Sequence, residues 1–180
     1  SDDFVGGVVS ALHVTDMALM LIDAANGVGV GTINQFRYVD ELKKPLVLLI
    51  NRMDHEKADY ENTLASLKDL YGSKVVPVQY PTGNGTAFNG IVDVLKQKLY
   101  QWKPGSTVPD VLDIPEKEQE RAGEYYQALL EAAAENDEGL MEKYFDQGSL
   151  TEEEMRDGIH KGMISHSLFP LFCASAEKNW

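Results

Sequence analysis

The sequence predicts an α/β fold, a parallel sheet with flanking helices that carries an α-rich inserted subdomain. Three observations predict it. Apolar runs without alternation at Met17–Ile22, Leu46–Ile50 and Leu168–Phe172 read as buried strands of a parallel sheet. Helical periodicity follows each of the first two runs. From about residue 84 to 166 the strand and helix alternation gives way to short strands and then three helices, before the chain returns to the sheet at Leu168.

In order, Val5, Val8, Val9 and Leu12 recur at helical spacing, although Gly6 and Gly7 each weaken a helix by about 1 kcal/mol relative to alanine. The strand Met17–Ile22 closes at Asp23. Gly27, Gly29 and Gly31 then turn the chain into a helix from about Thr32 to Leu42, with Phe36, Val39 and Leu42 inward. These glycines form neither G-x-G-x-x-G nor the Gly-Lys-Ser/Thr of a phosphate-cradling loop, and no Gly-Lys pair occurs anywhere in the sequence. After Pro45 and the second strand, Asp59 is an N-cap for a helix with Tyr60, Leu64, Leu67 and Leu70 facing the sheet and Gly72 as its stop. Val75–Gln79 reads as the next strand.

Pro81, Gly83, Asn84, Gly85 and Asn89-Gly90 mark loops, with paired short strands at Ile91–Leu95 and Lys98–Trp102. A long helix spans Glu116–Ala134 with Ala122, Tyr126, Leu129, Leu130 and Ala133 on one face. A short helix carries Leu140, Met141, Tyr144 and Phe145. The third starts at Thr151 with Glu154 three residues on, a capping box, and presents Met155, Ile159 and Met163 inward. This Met and aromatic stripe reads as core.

Ligands of open α/β sheets bind beyond the carboxyl ends of strands, and there the chain places Asn51-Arg52-Met53-Asp54. The Asp54 carboxylate can accept hydrogens from N1 and the 2-amino group of guanine together, whereas adenine offers a lone pair and no 2-amino donor. Asn51 can donate to the base while tying the loop to a neighbouring segment, and the stem of Arg52 can lie against the ring. After the last strand, Cys173-Ala174-Ser175-Ala176-Glu177-Lys178-Asn179 offers a Ser175-Ala176 turn whose backbone N–H groups suit guanine O6.

Asn51-Arg52-Met53-Asp54 with Ser175-Ala176 resembles the fourth and fifth nucleotide motifs of translation GTPases. Lys74–Gly83 and Phe88–Asp93 are similar to elongation factor G in particular, and the resemblance extends over essentially the whole chain. It implies a P-loop GTPase-like G domain, incomplete at its N-terminus: a core over 1–83, an inserted subdomain over 84–166 and a return to the core over 167–180. It implies GTP or GDP bound by Asn51, Arg52, Asp54, Ser175 and Ala176, with Mg²⁺ held only in the full-length protein. It also implies a ribosomal partner, with the inserted subdomain turned toward the stalk proteins of the large subunit. The opening helix matches the second switch, which answers to the γ-phosphate. There the sequence departs from the family: Ser1 stands where histidine orients the attacking water, Gly7 at a usually acidic position and His13 at a usual arginine. Serine lacks the reach and polarity of imidazole, which puts hydrolysis in doubt and leaves no catalytic residue to name. Three readings follow: a ribosome-dependent GTPase promoting translocation, a relative that binds GTP without hydrolysing it, or a protein-interaction module with a vestigial site.

The net charge of −13 is concentrated. Asp113–Asp157 holds fifteen acidic and four basic residues, a net −11 that repels phosphate backbones and argues against direct nucleic acid contact. The lone Cys173 excludes an internal disulfide and suits a reducing cytoplasm. The four histidines lack zinc-site spacing, so no metal role is assigned to them. No apolar run reaches membrane-spanning length and no leader is recognised, so a soluble cytoplasmic location without membrane contact is expected.

Overall fold

The computed structural model describes residues 5–180, so the expectation resting on Ser1 lies outside the described residues. In chain order the elements are α1 (Val5–Val14), β1 (Ala18–Asp23), α2 (Val30–Glu41), β2 (Leu46–Asn51), α3 (Tyr60–Tyr71), β3 (Val75–Pro77) and β4 (Gln79–Pro81). There follow β5 (Gly90–Asp93), β6 (Lys98–Gln101), β7 (Asp110–Leu112), α4 (Glu116–Ala134), α5 (Glu138–Gln147), α6 (Glu152–Ile164) and β8 (Phe169–Cys173). A parallel sheet has the order β1-β2-β8-β3, and an antiparallel sheet the order β4-β5-β6-β7. One hydrophobic core runs through both sheets and the helices.

The strands β2 and β8 form the centre of the parallel sheet because their apolar runs fill both faces of the pleat. Leu46, Leu48 and Ile50 are wholly buried, as are Phe169 and Leu171. The first strand differs from expectation. Met20 and Ile22 are buried, but Leu19 and Leu21 are 58% and 59% exposed, because β1 is the edge strand here and only one of its faces is covered. Its register still matters: β1 pairs with β2 from Ala18↔Leu46 to Asp23↔Asn51, which brings Asp23 alongside the loop that follows β2.

The predicted strand Val75–Gln79 is two strands in two sheets. Val78 is the crossing point: its N–H donates to Leu171 O at 2.9 Å, while its carbonyl accepts from Val94 N–H at 2.9 Å. The expected pair of strands is likewise part of a four-stranded sheet. The strand Asp110–Leu112 is only three residues long and exposed throughout, too short for an alternation to register in the sequence.

The capping predictions are met. Asp59 accepts from Asn62 N–H to start α3, and Thr151 with Glu154 closes a capping box on α6. Two helix faces match the predicted stripes in part, with Tyr60, Leu64 and Leu67 of α3 and Met155 of α6 buried as expected. On α3, Tyr71 stacks on Phe36 with ring centroids 3.8 Å apart, and Leu70 is left 45% exposed. On α6 the buried line is Met155, Gly158 and Gly162, with Ile159 and Met163 only half-buried. A Cβ on Gly158 would lie 2.3 Å from Ala133 O, so the glycine is what lets α6 lie against α4. No described helix is long and apolar enough to cross a membrane.

Candidate nucleotide site

The Asn51–Asp54 loop and the Ser175–Ala176 turn leave the carboxyl ends of β2 and β8, which are hydrogen-bonded neighbours. Adjacent parallel strands therefore deliver both loops to one edge of the sheet. Met53 anchors the first loop: its side chain is wholly buried, its N–H donates to Ala174 O at 3.2 Å, and its carbonyl accepts from Gly85 N–H at 2.8 Å. Such anchoring leaves the polar side chains on either side of it at the surface.

Two cross-links join the loops. Ser175 Oγ, in a wholly buried residue, donates to Asp54 Oδ1 at 2.6 Å. Ala176 N–H donates to Asn51 Oδ1 at 3.0 Å. The same Ser175 Oγ accepts from Lys178 N–H at 3.2 Å, so one hydroxyl orients the carboxylate and closes its own turn. Asn51 thus ties the loop to a neighbouring segment as expected, through its carbonyl oxygen. The Ala176 N–H assigned to guanine O6 is engaged by Asn51, so presenting it to a base requires Asn51 to share or release it.

Arg52 takes a left-handed backbone conformation (φ 65°), uncommon for a residue with a Cβ. Its guanidinium Nη1 meets Asp23 Oδ2 at 2.7 Å, fixing the far end of the side chain across the top of β1. The sequence gives no signal for this pairing, since Asp23 is a strand-end aspartate 29 residues from Arg52. Burial opposes ionisation of Asp23, but hydrogen bonds from Ala25 N–H, Asn26 and Arg52 outweigh it and hold the carboxyl below its usual range.

The two loops leave both an acceptor and donors open. Asp54 keeps Oδ2 free of protein partners among the described residues, and Asn51 keeps its Nδ2 donors. Cys173 lies beneath the turn, 3% exposed, and burial pushes its thiol far up, so it is packing and not a nucleophile. Among the described residues no group of three or more His, Cys, Asp or Glu is placed to hold a metal.

A parallel sheet with cross-linked polar loops at the carboxyl ends of adjacent central strands has the ligand edge of an α/β nucleotide-binding domain. The family model of the elongation factor Tu GTP binding domain matches residues 1–180, and the chain belongs to that family. The crystal structure of a protein from Thermus thermophilus superimposes with a TM-score of 0.89 at 31% sequence identity over 99% of this chain. The chain spans 26% of that protein's length.

Proposed function

We propose that Asn51, Asp54, Ser175 and Ala176 read the guanine of GTP or GDP, with Arg52 flanking the ring, in the GTP-binding domain of an elongation factor G-type translation factor that promotes ribosomal translocation. The observation that carries the reading is the cross-link from Ser175 Oγ to Asp54 at 2.6 Å, which joins the two loops and orients the carboxylate. A vestigial site has no reason to keep a buried hydroxyl aimed at a carboxylate, which counts against the pure interaction module. Asp54 supplies the in-plane acceptors that distinguish guanine from adenine.

Residues 84–166 serve as the inserted subdomain of such a factor. Their acidic helices, with Phe145 of α5 77% exposed, suit a basic protein partner better than RNA, while the stalk proteins of the large ribosomal subunit enter as the partner that the family resemblance implies. A second reading, a relative that binds GTP without hydrolysing it, is favoured by Ser1, Gly7 and His13; the last two occupy exposed positions of α1.

The base loops alone supply neither the phosphate-cradling motif nor a metal site, and charge-assisted phosphate contacts are the strong ones. The 180-residue chain therefore binds GDP weakly, with a Kd above about 1 μM, and prefers GDP to ADP. Nuclear magnetic resonance titration with both nucleotides tests this: equal shifts with ADP and GDP contradict guanine reading, and submicromolar GDP affinity contradicts the dominance of phosphate contacts. For a full-length protein carrying this chain, ribosome-stimulated GTP hydrolysis with Ser1 and with Ser1→His separates the two functional readings. Turnover well above background with Ser1 establishes an ordinary GTPase. Tight binding without turnover, restored by Ser1→His, establishes the non-hydrolysing relative.

A further inference from the structure

The antiparallel sheet and its loops back both base-reading loops. The connection from β4 to β5 reaches the first loop through Gly85, whose N–H donates to Met53 O at 2.8 Å. Gly85 has φ +61°, and a Cβ there would sit 3.2 Å from His55 O, so the backbone seats directly against the loop. Three residues on, Phe88 is buried and its ring centroid lies 6.1 Å from that of Trp180.

Trp180 belongs to the second loop. It exchanges two backbone hydrogen bonds with Ser175, Ser175 N–H to Trp180 O at 2.8 Å and Trp180 N–H to Ser175 O at 2.9 Å. Its indole stacks on Trp102, just after β6, with centroids 5.6 Å apart and planes 18° from parallel. The indole N–H donates to Ser106 O at 2.8 Å. Phe88, Trp102 and Ser106, all in connections of the antiparallel sheet, thus reach through Trp180 to the backbone of Ser175, whose hydroxyl orients Asp54.

We infer that Trp180 is a positioning residue for the base site, coupling the antiparallel sheet to the Ser175–Ala176 turn so that guanine binding and the Trp102–Trp180 stack stabilise each other. The inference rests on the guanine reading above. Its physical basis is that base recognition needs Ser175 and Ala176 in register with Asn51 and Asp54, and the Trp180 contacts fix the Ser175 backbone from the side of the antiparallel sheet. Linkage makes the effect reciprocal: whatever the stack contributes to guanine affinity, bound guanine returns to the stack.

The chain has two tryptophans, so it has two indole N–H resonances, and Trp180→Phe assigns them. The test uses the 180-residue chain titrated with GDP to saturation, with ADP as control. In the wild type, GDP slows hydrogen exchange of the Trp180 indole N–H and ADP does not. Trp180→Ala, folded by circular dichroism, raises the GDP Kd about tenfold, and Trp180→Phe, which keeps a ring on Trp102, raises it less than about threefold. Unchanged GDP affinity in folded Trp180→Ala overturns the inference. If that variant does not fold, an indole exchange rate unaffected by saturating GDP in the wild type overturns it equally. Absence of any saturable GDP binding by the wild type overturns the guanine reading itself, and this inference with it.

Discussion

At the scale of single residues, Ser175 does more than its neighbours. Its hydroxyl is buried, donates to Asp54 and accepts from Lys178 N–H, so no substitute without an oxygen satisfies both. Ser175→Ala is expected to cost about 1–3 kcal/mol of stability in urea unfolding, the range for leaving buried polar partners unmade, and to weaken guanine binding as well. A variant with wild-type stability would show that the cross-link is dispensable. The sequence made the chemistry of Asn51, Asp54 and Ser175 legible because residue type and position after an apolar strand carry it. It could not show that Asn51 spends its carbonyl on Ala176, or that Arg52 is anchored by Asp23, because those pairings depend on strand register.

At the scale of elements, the caps and the longest helix were readable, while the buried faces of α3 and α6 were partly misread. Hydrophobic periodicity scores side chains, and Gly158 and Gly162 have none, so the closest helix–helix approach was invisible to it. Gly158→Ala is expected to destabilise the protein by about 1–3 kcal/mol, since the backbone of α4 stands where the methyl must go. The two leucines of α3 make a sharper contrast. Leu67→Ala, at a wholly buried site, is expected to cost about 2–5 kcal/mol, and Leu70→Ala less than about 0.5 kcal/mol. Equal losses in denaturant unfolding would mean that the helix is rotated from the orientation described.

The capping box gives a pH signature at the same scale. Hydrogen bonds from Lys143 and from the Thr151 backbone and hydroxyl hold Glu154 down from its ordinary 4.5 to about 2. A carboxyl depressed in the folded state stabilises fully above its unfolded value, so the contribution is complete above about pH 4.5 and is lost as pH falls through about 2. Comparing melting temperatures of the wild type and Glu154→Gln should show a gap that narrows on acidification through that window. A gap that does not change with pH contradicts the assignment.

At the scale of the whole molecule, the two sheets divide the work. The parallel sheet delivers two loops to one edge by placing β2 beside β8, although well over a hundred residues separate them in sequence. The antiparallel sheet then braces those loops through Gly85 and Trp180. The α/β class and the α-rich block between the loops were legible from strand and helix alternation and its interruption. The split at Val78 and the four-stranded second sheet were not, since a crossing between sheets leaves an apolar run unbroken. The central claim is that Asp54 selects guanine through N1 and the 2-amino group. The direct measurement is the Kd of GDP and of xanthosine diphosphate for the wild type and for Asp54→Asn. Asparagine keeps an acceptor for N1–H but offers its amide hydrogens to a 2-oxo group, so the variant should lose about tenfold or more in GDP affinity and prefer xanthosine diphosphate. An Asp54→Asn chain that remains folded and retains the wild-type preference for GDP would contradict the account.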